Sequence, residues 1–166
     1  MSVIPEIIER AEAYCRRNGL KIVKQLGFGV HGSVFVAENQ LDGRQTAVKA
    51  HERERFYLRE RNVYLRLQEH EVTYVRGAAV PELLGHDDEL WVIEMTIVGQ
   101  PFVLDFAGAY LDRPGDYSEE VWEHWRNEKM EQFGSRWPEA EAIIWALEDY
   151  GIFMADVNPG NISFGD

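Results

Sequence analysis

A glycine-rich octapeptide, GFGVHGSV at residues 27–34, places the tightest constraint on how this chain can fold. Glycines at 27, 29 and 32 allow a sharp turn, and the exposed N–H groups of such a turn can surround phosphate oxygens. Segments rich in Val and Ile flank the turn on both sides, whereas a Rossmann site would lead from a strand into a helix. The motif therefore predicts a glycine-rich β-hairpin. Taken alone, it is equally compatible with a hairpin that binds no ligand.

The surrounding sequence predicts an α+β fold. Residues 20–50 contain three short Val- and Ile-rich segments separated by glycine turns, which is typical of an antiparallel meander. Residues 51–70 lack Gly and Pro and predict a long helix, which two strand candidates, VPELLG and ELWVIEM, follow. A helix over residues 1–19, with Ile4 at the start of its apolar pattern, precedes the meander. The region after Ser118, a candidate N-cap, is helical to Gly151.

Composition narrows the classes of partner. The 166 residues carry a formal net charge of -12, with 45% hydrophobic residues, which suffices for a packed core. This charge opposes binding to a nucleic acid, which requires a basic face. No apolar run approaches the ~18 residues of a membrane helix, and the single Cys15 cannot form an internal disulfide. We therefore expect a cytoplasmic protein that binds neither nucleic acid nor membrane.

Two charged residues follow the glycine-rich turn in an order that suggests a phosphate site. Lys49 lies in the third predicted strand, TAVKA, where alternation places Ala47 and Lys49 on one face. Glu60, in the middle of the next helix, could pair with this lysine and hold it in place. Each residue by itself is also an ordinary choice for a strand end or a charged helix.

This set of parts resembles the protein kinase-like superfamily, which combines a glycine-rich loop, a Val-Ala-x-Lys strand and a partner Glu on helix C. The resemblance implies a kinase-like fold, with an antiparallel N-lobe sheet and helix C in residues 20–99 and a minimal helical C-lobe in residues 100–166. It also implies that ATP binds with Lys49 on its phosphates and Glu60 supporting Lys49. The implied nucleotide contacts further include Gly27, Phe28, Gly29, Val30, His31, Gly32, Val34, Ala47 and the backbone near Glu94, Met95 and Thr96.

The segment DVNPGN matches the Asp-x-x-x-x-Asn catalytic loop of that superfamily. The resemblance implies that Asp156 accepts the proton of a substrate hydroxyl and that Asn161 binds Mg²⁺. Met154 and Ala155 stand where kinases have His-Arg, and Asn158 replaces a common lysine. The loop is therefore closer to small-molecule kinases, such as aminoglycoside phosphotransferases, than to typical serine/threonine kinases. A polar-capped Asn-Pro-Gly turn is the alternative reading.

The Asp-Phe-Gly motif, whose Asp binds Mg²⁺ in kinases, is expected beyond the catalytic loop, and the sequence reaches only Asp166. Asp166 is the acid that could replace it, and a longer natural chain would restore the motif. The segment LDFAG at residues 104–108 carries an extra Ala and precedes the catalytic loop. Its order in the chain indicates that it is not the Asp-Phe-Gly motif but an apolar helix or loop after the hinge.

These features support two functions. One is a minimal ATP-dependent phosphotransferase; the other is a pseudokinase that binds nucleotide or a protein partner without transferring phosphate. The missing motif favours the second, as do Trp122, Trp125 and Phe133, which could dock a partner, although core packing also explains them. A homodimer is a further expectation, because the last strand would otherwise present an unpaired edge.

Overall fold

The computed structural model describes residues 5–28 and 31–165, and within them the chain is an α+β protein, as the sequence predicted. The helices are α1 (Pro5–Arg17), α2 (Glu54–Glu69), α3 (Glu119–Phe133) and α4 (Trp137–Glu148). The strands are β1 (Leu20–Phe28), β2 (Gly32–Asn39), β3 (Gln45–His51), β4 (Tyr74–Val75), β5 (Ala78–Ala79), β6 (Leu83–Asp87), β7 (Val92–Met95), β8 (Phe102–Val103), β9 (Tyr110–Leu111), β10 (Ile152–Phe153) and β11 (Ile162–Ser163).

The main sheet is antiparallel and has the strand order β1-β2-β3-β7-β6. The predicted meander forms its first part, and the two later strand candidates add to it beside β3. Lys49 lies opposite Val34 on β2 and opposite Ile93 on β7. A position in the third strand, paired on both sides, gives Lys49 a rigid backbone.

Helices cover the sheet on both faces. On one face α1 buries Ile7, Ala11 and Tyr14 against strand residues such as Val48 and Ala50. On the other face α2 buries Tyr57, Glu60, Val63, Tyr64 and Leu67, a spacing that follows the helical period. Because strand side chains alternate between faces, Ala47 and Lys49 point toward α2 while Val48 points toward α1. None of the helices in residues 5–28 and 31–165 is long and apolar enough to cross a membrane.

Short strands organise the second half of the chain. A small sheet has the order β11-β8-β5-β4, and β9 pairs with β10. Ile162 on β11 lies opposite Val103 on β8 in an antiparallel pair. The expectation of an unpaired final strand is therefore wrong for β11. The prediction of a homodimer depended on that unpaired strand and loses its structural reason. This pairing also places the segment that follows β8 next to the loop that precedes β11.

The helical region also agrees with its sequence signals. The Ser118 side chain accepts a hydrogen bond from the Val121 N–H and caps α3. A continuous buried cluster runs from Ala47 on β3 to Ile162 on β11 and includes residues of α2 and α4. One apolar core contains residues from both sides of residue 99. The domain boundary predicted there stays a prediction.

Candidate functional site

A cavity of about 500 Å³ lies between the main sheet, α2 and the segments after β7. Apolar side chains form much of its wall, and polar groups enter it from Lys49, Glu60 and Asp105. A site of this volume, mostly apolar and with few polar groups, is typical for a small organic ligand. The lining residues are Leu26, Gly27, His31, Gly32, Val34, Ala47, Lys49, Glu60, Tyr64, Pro81, Met95, Thr96, Ile97, Val98, Phe102, Leu104, Asp105 and Gly160.

Lys49 is the cation of this cavity. Its Nζ lies 2.7 Å from Glu60 Oε1 and 3.2 Å from Asp105 Oδ1. Both Lys49 and Glu60 are buried, so the pairing that their order in the sequence suggested is present. Burial by itself lowers the pKa of Lys49, but the adjacent carboxylates of Glu60 and Asp105 raise it above its ordinary value. Lys49 is thus held as a buried ammonium group.

Glu60 is fixed by more than the lysine. Its Oε1 also contacts His51 Nε2 at 2.8 Å, and its Oε2 accepts a hydrogen bond of 2.6 Å from the Phe106 N–H. Burial alone would raise the pKa of Glu60, but Lys49 and His51 bring it well below its usual range. The result is an ionised carboxylate that joins α2, β3 and the segment after β8.

Residues 104–108 form a loop, and the structure brings this segment to the candidate site although its order in the chain had set it apart from the expected metal-binding motif. Asp105 reaches Lys49, and Phe106 is fully buried and packs edge-to-face on Tyr64 with ring centroids 5.2 Å apart. Asp105 has a φ of 69°, a left-handed conformation that Asp tolerates better than most residues and that is enriched at functional sites. The signal for this residue was the LDFAG motif itself, which chain order had led us to exclude.

A close backbone approach joins this segment to the loop at residues 156–161. A Cβ atom added at Gly108 would lie only 2.8 Å from the Cβ of Asp156. In the loop, Asn161 Oδ1 accepts from the Asn158 N–H at 2.8 Å, and its Nδ2 donates to the Asp156 carbonyl at 2.9 Å. Asn161 therefore fixes the loop that presents the Asp156 carboxylate, whose side chain is 52% exposed.

The glycine-rich turn reaches this loop through His31. Its Nε2 lies 3.0 Å from Asp156 Oδ2, and its ring packs on Phe56 with centroids 4.2 Å apart. Gly27 and Gly32 both line the cavity. Gly32 has a further structural role, because a Cβ there would clash with the Ala50 carbonyl on β3. Gly29, Val30 and the side chain of Phe28, all predicted nucleotide contacts, lie outside the described residues.

The predicted hinge residues divide between the two faces. Met95 and Thr96 line the cavity, followed by Ile97 and Val98, which the sequence reading did not include. The side chain of Glu94 points to the opposite face, where its carboxylate accepts from the Tyr14 and Thr46 hydroxyls. Period-two alternation along β7 explains why Glu94 and Met95 face opposite ways.

Metal-ligand candidates are few in this region. Asp166, one of the predicted ligands, lies outside the described residues. Across residues 5–28 and 31–165, no group of three or more His, Cys, Asp or Glu residues is placed to hold a metal ion. Asp105 and Asn161 are nevertheless neighbours, since the Leu104 N–H donates to the Asn161 carbonyl.

The aromatic residues proposed for partner docking are largely engaged within the protein. Phe133 is buried, and Trp125 donates its Nε1–H to the Ala155 carbonyl at 2.7 Å. Trp122 and Trp125 pack edge-to-face with ring centroids 5.7 Å apart. Core packing therefore accounts for Trp125 and Phe133, and Trp125 also supports the loop before Asp156.

No protein-family model matches this chain, and no curated protein matches its sequence significantly. Any conclusion about function thus depends on the geometry of the cavity and of the side chains around it.

Proposed function

We propose that this protein is a kinase-like, ATP-dependent phosphotransferase in which Lys49 binds the phosphates and Asp156 is the base. The observation that carries the proposal is the placement of Lys49 between the Glu60 and Asp105 carboxylates, in a cavity that the glycine-rich turn borders. A phosphate binder needs a fixed cation with backbone N–H groups nearby. Lys49 is such a cation, and Gly27 and Gly32 of the glycine-rich turn line the same cavity.

The walls of the cavity suit a nucleotide base. Leu26, Val34, Ala47, Met95 and Leu104 are apolar residues of its lining. A flat heteroaromatic ring between such side chains is removed from water, while its phosphates extend toward Lys49. The volume of about 500 Å³ falls in the range of ordinary ligand sites.

Asp105 and Asn161 are the residues that would hold Mg²⁺. Their donors are a carboxylate and an amide oxygen, which suit this ion, and Mg²⁺ commonly takes only one or two protein ligands alongside water and phosphate oxygens. Asn161 Oδ1 accepts one hydrogen bond and retains a second lone pair. When bound, the ion would supply charge neutralisation for the phosphates.

Asp156 is suited to act as the base, because its carboxylate is half-exposed and borders the turn and the cavity through His31. The acceptor hydroxyl oxygen forms a bond to the γ-phosphorus as its proton passes to Asp156. The bond from that phosphorus to the bridging oxygen of ADP breaks in the same transfer. His31 must release Asp156, or turn aside, before an acceptor hydroxyl can reach it.

Calorimetric titration with ATP, with and without magnesium, tests the proposal. Wild type should bind, Lys49→Ala should lose at least tenfold in affinity, and Lys21→Ala, a change at an exposed lysine of β1, should bind as wild type does. Asp156→Asn should retain binding and lose phosphate transfer. Absence of ATP binding by wild type in both conditions would overturn the proposal.

A nucleotide-binding pseudokinase is the second candidate. The contact between His31 and Asp156 favours it, since it occupies one oxygen, Oδ2, of the carboxylate that would act as the base. In that case wild type and Asp156→Asn bind ATP equally and neither consumes it.

A further inference from the structure

His51 lies behind the lysine site and has no role in the function proposed above. It ends β3, two residues after Lys49, and is 0% exposed. Its Nε2 lies 2.8 Å from Glu60 Oε1, and its Nδ1 lies 3.0 Å from the Trp91 carbonyl oxygen. A buried histidine with a defined partner at each ring nitrogen is held in one orientation.

The partners of His51 determine its protonation. A carbonyl oxygen can only accept, so Nδ1 must donate to Trp91. The Glu60 carboxylate also accepts from Lys49 and from the Phe106 N–H, which marks it as ionised, so Nε2 must donate to Glu60 as well. An imidazole that donates from both nitrogens is the imidazolium cation.

The charges around His51 agree with this assignment. Lys49 and His51 as cations balance Glu60 and Asp105 as anions in one cluster, of which Lys49, His51 and Glu60 are buried and Asp105 is partly exposed. From α2, the Tyr57 ring packs edge-on against His51 at 5.6 Å, while its hydroxyl donates to Asp88. From α1, Arg10 donates to the His51 and Leu90 carbonyls, and its guanidinium lies 5.0 Å from the centre of the Trp91 ring. Arg10 therefore contacts the backbone of His51, whereas Glu60 contacts its ring.

We propose that His51 is a positioning residue for the nucleotide site: as a buried imidazolium it is the second cation of Glu60 and keeps that carboxylate ionised and in place. The inference rests on the proposed function for its consequence. When phosphates draw Lys49 away from Glu60, His51 remains bound to Glu60, so the carboxylate is not left as an unpaired buried charge. Glu60 then stays in position to receive Lys49 again when the ligand leaves.

The protonation of His51 is measured directly by NMR on wild-type protein with ¹⁵N-labelled imidazole rings. The chain has five histidines, and the His51 signals are assigned by through-bond correlation to its backbone, with His51→Gln as a check. We expect both ring nitrogens of His51 to be protonated in the folded protein. A neutral ring with one bare nitrogen would overturn the proposal whether or not ATP binds.

The positioning role is tested by titrating magnesium and ATP into wild type, His51→Gln and His86→Gln across a series of pH values. His86 is the matched control, because it also contacts a carboxylate, that of Asp88, but is partly exposed and does not line the cavity. We expect His51→Gln, which keeps a donor but loses the charge, to weaken binding about tenfold. His86→Gln should have the wild-type affinity.

The pH profile separates positioning from a structural role. In wild type the affinity for ATP should fall as rising pH removes a proton from the His51 ring, along the curve that NMR records for that ring. His51→Gln should lack this pH-dependent change. The positioning role would be overturned if the ATP affinity did not change as the His51 ring loses its proton, or if His51→Gln bound ATP as tightly as wild type. If wild type binds no ATP at any pH, the proposed function fails, and the ring protonation alone decides whether His51 is the second cation of Glu60.

Discussion

The Asp105 carboxylate lies 3.2 Å from the Lys49 ammonium group, although 56 residues separate them in the chain. The antiparallel pairing of β8 with β11 sets the segment of Asp105 beside the loop that precedes β11, and the Phe106 N–H bond to Glu60 joins that segment to α2. The site thus obtains its second carboxylate from a segment that precedes the loop at residues 156–161. In the phosphotransferase proposed above, Asp105 is the carboxylate that would bind Mg²⁺.

Replacing Asp105 by Asn should remove the magnesium dependence of ATP binding. The amide keeps the size of the side chain but loses the charge that Mg²⁺ prefers in a ligand. Calorimetry gives the factor by which magnesium strengthens ATP binding. We expect this factor to be at least tenfold smaller in Asp105→Asn than in wild type. Asp88→Asn, at an exposed carboxylate paired with Arg61, should behave as wild type. An unchanged magnesium effect in Asp105→Asn would remove Asp105 from the metal site.

Gly108→Ala should damage both stability and activity. The added Cβ would lie 2.8 Å from the Cβ of Asp156, so one of the two backbones must move. We expect a loss of about 1–3 kcal/mol in the free energy of unfolding, the range for overpacking, and a large loss of phosphate transfer. Gly99→Ala is the control, because no atom lies within 4 Å of its added Cβ. Equal stability of the two variants would contradict the close approach.

The buried pair of Lys49 and Glu60 should show strong coupling in a double-mutant cycle. Lys49→Met leaves two carboxylates near each other without their shared cation, which should cost about 3–5 kcal/mol of unfolding free energy. Glu60→Met removes the partner of two cations and should cost a similar amount. Urea denaturation should show the double variant to be more stable than the sum of the two losses. Simple additivity would mean that the two groups do not interact.

Ionisation of Glu60 should contribute to the pH dependence of the unfolding free energy. Burial acts to raise the pKa of Glu60, but Lys49 and His51 lower it from 4.5 to about 2 in the folded protein. The ionised carboxylate therefore stabilises the fold above pH 4.5, and this contribution is lost as the pH falls toward about 2. The size expected is roughly 3 kcal/mol. Denaturation of wild type and Glu60→Gln at a series of acidic pH values isolates it, since the other carboxylates titrate in both proteins.

At alkaline pH the ion pair between Lys49 and Glu60 is lost when Lys49 gives up its proton. Its pKa is lowered by burial but raised above 10.5 by Glu60 and Asp105, so its contribution is complete below pH 10.5 and is lost only as the pH rises through the raised value. The two shifts describe one shared interaction and are not added. A difference between wild type and Glu60→Gln that stays constant down to about pH 2 would contradict this account.

Trp125→Phe should loosen the loop before Asp156. The indole Nε1–H donates to the Ala155 carbonyl at 2.7 Å, and phenylalanine retains most of the ring packing without this bond. We expect a loss of about 1 kcal/mol in unfolding free energy and a lower kcat for phosphate transfer with little change in ATP affinity. Trp145→Phe, at an exposed indole, is the control. An unchanged kcat would show that this bond does not position the loop.

The sequence determined those features that depend on local patterns. The alternation of Val and Ile with glycine turns specified the meander, and the same alternation placed Ala47 and Lys49 on one face. The charged helix without Gly or Pro became α2, with Glu60 on its buried side facing Lys49. Such features follow from neighbours only a few residues apart, for which the periods of strands and helices are reliable guides.

Only the tertiary structure decided which distant segments complete the site. The order of residues in the chain argued against the LDFAG segment, yet Asp105 contacts Lys49 and the neighbouring Phe106 N–H donates to Glu60. The sequence placed residue 51 at the start of the predicted helix, whereas in the structure His51 ends β3 and its ring contacts Glu60 and the Trp91 carbonyl. Short strands carry almost no register information in their own sequence, because their pairing is set by the apolar core that they share. Position along the chain is therefore a poor guide to position around this cavity.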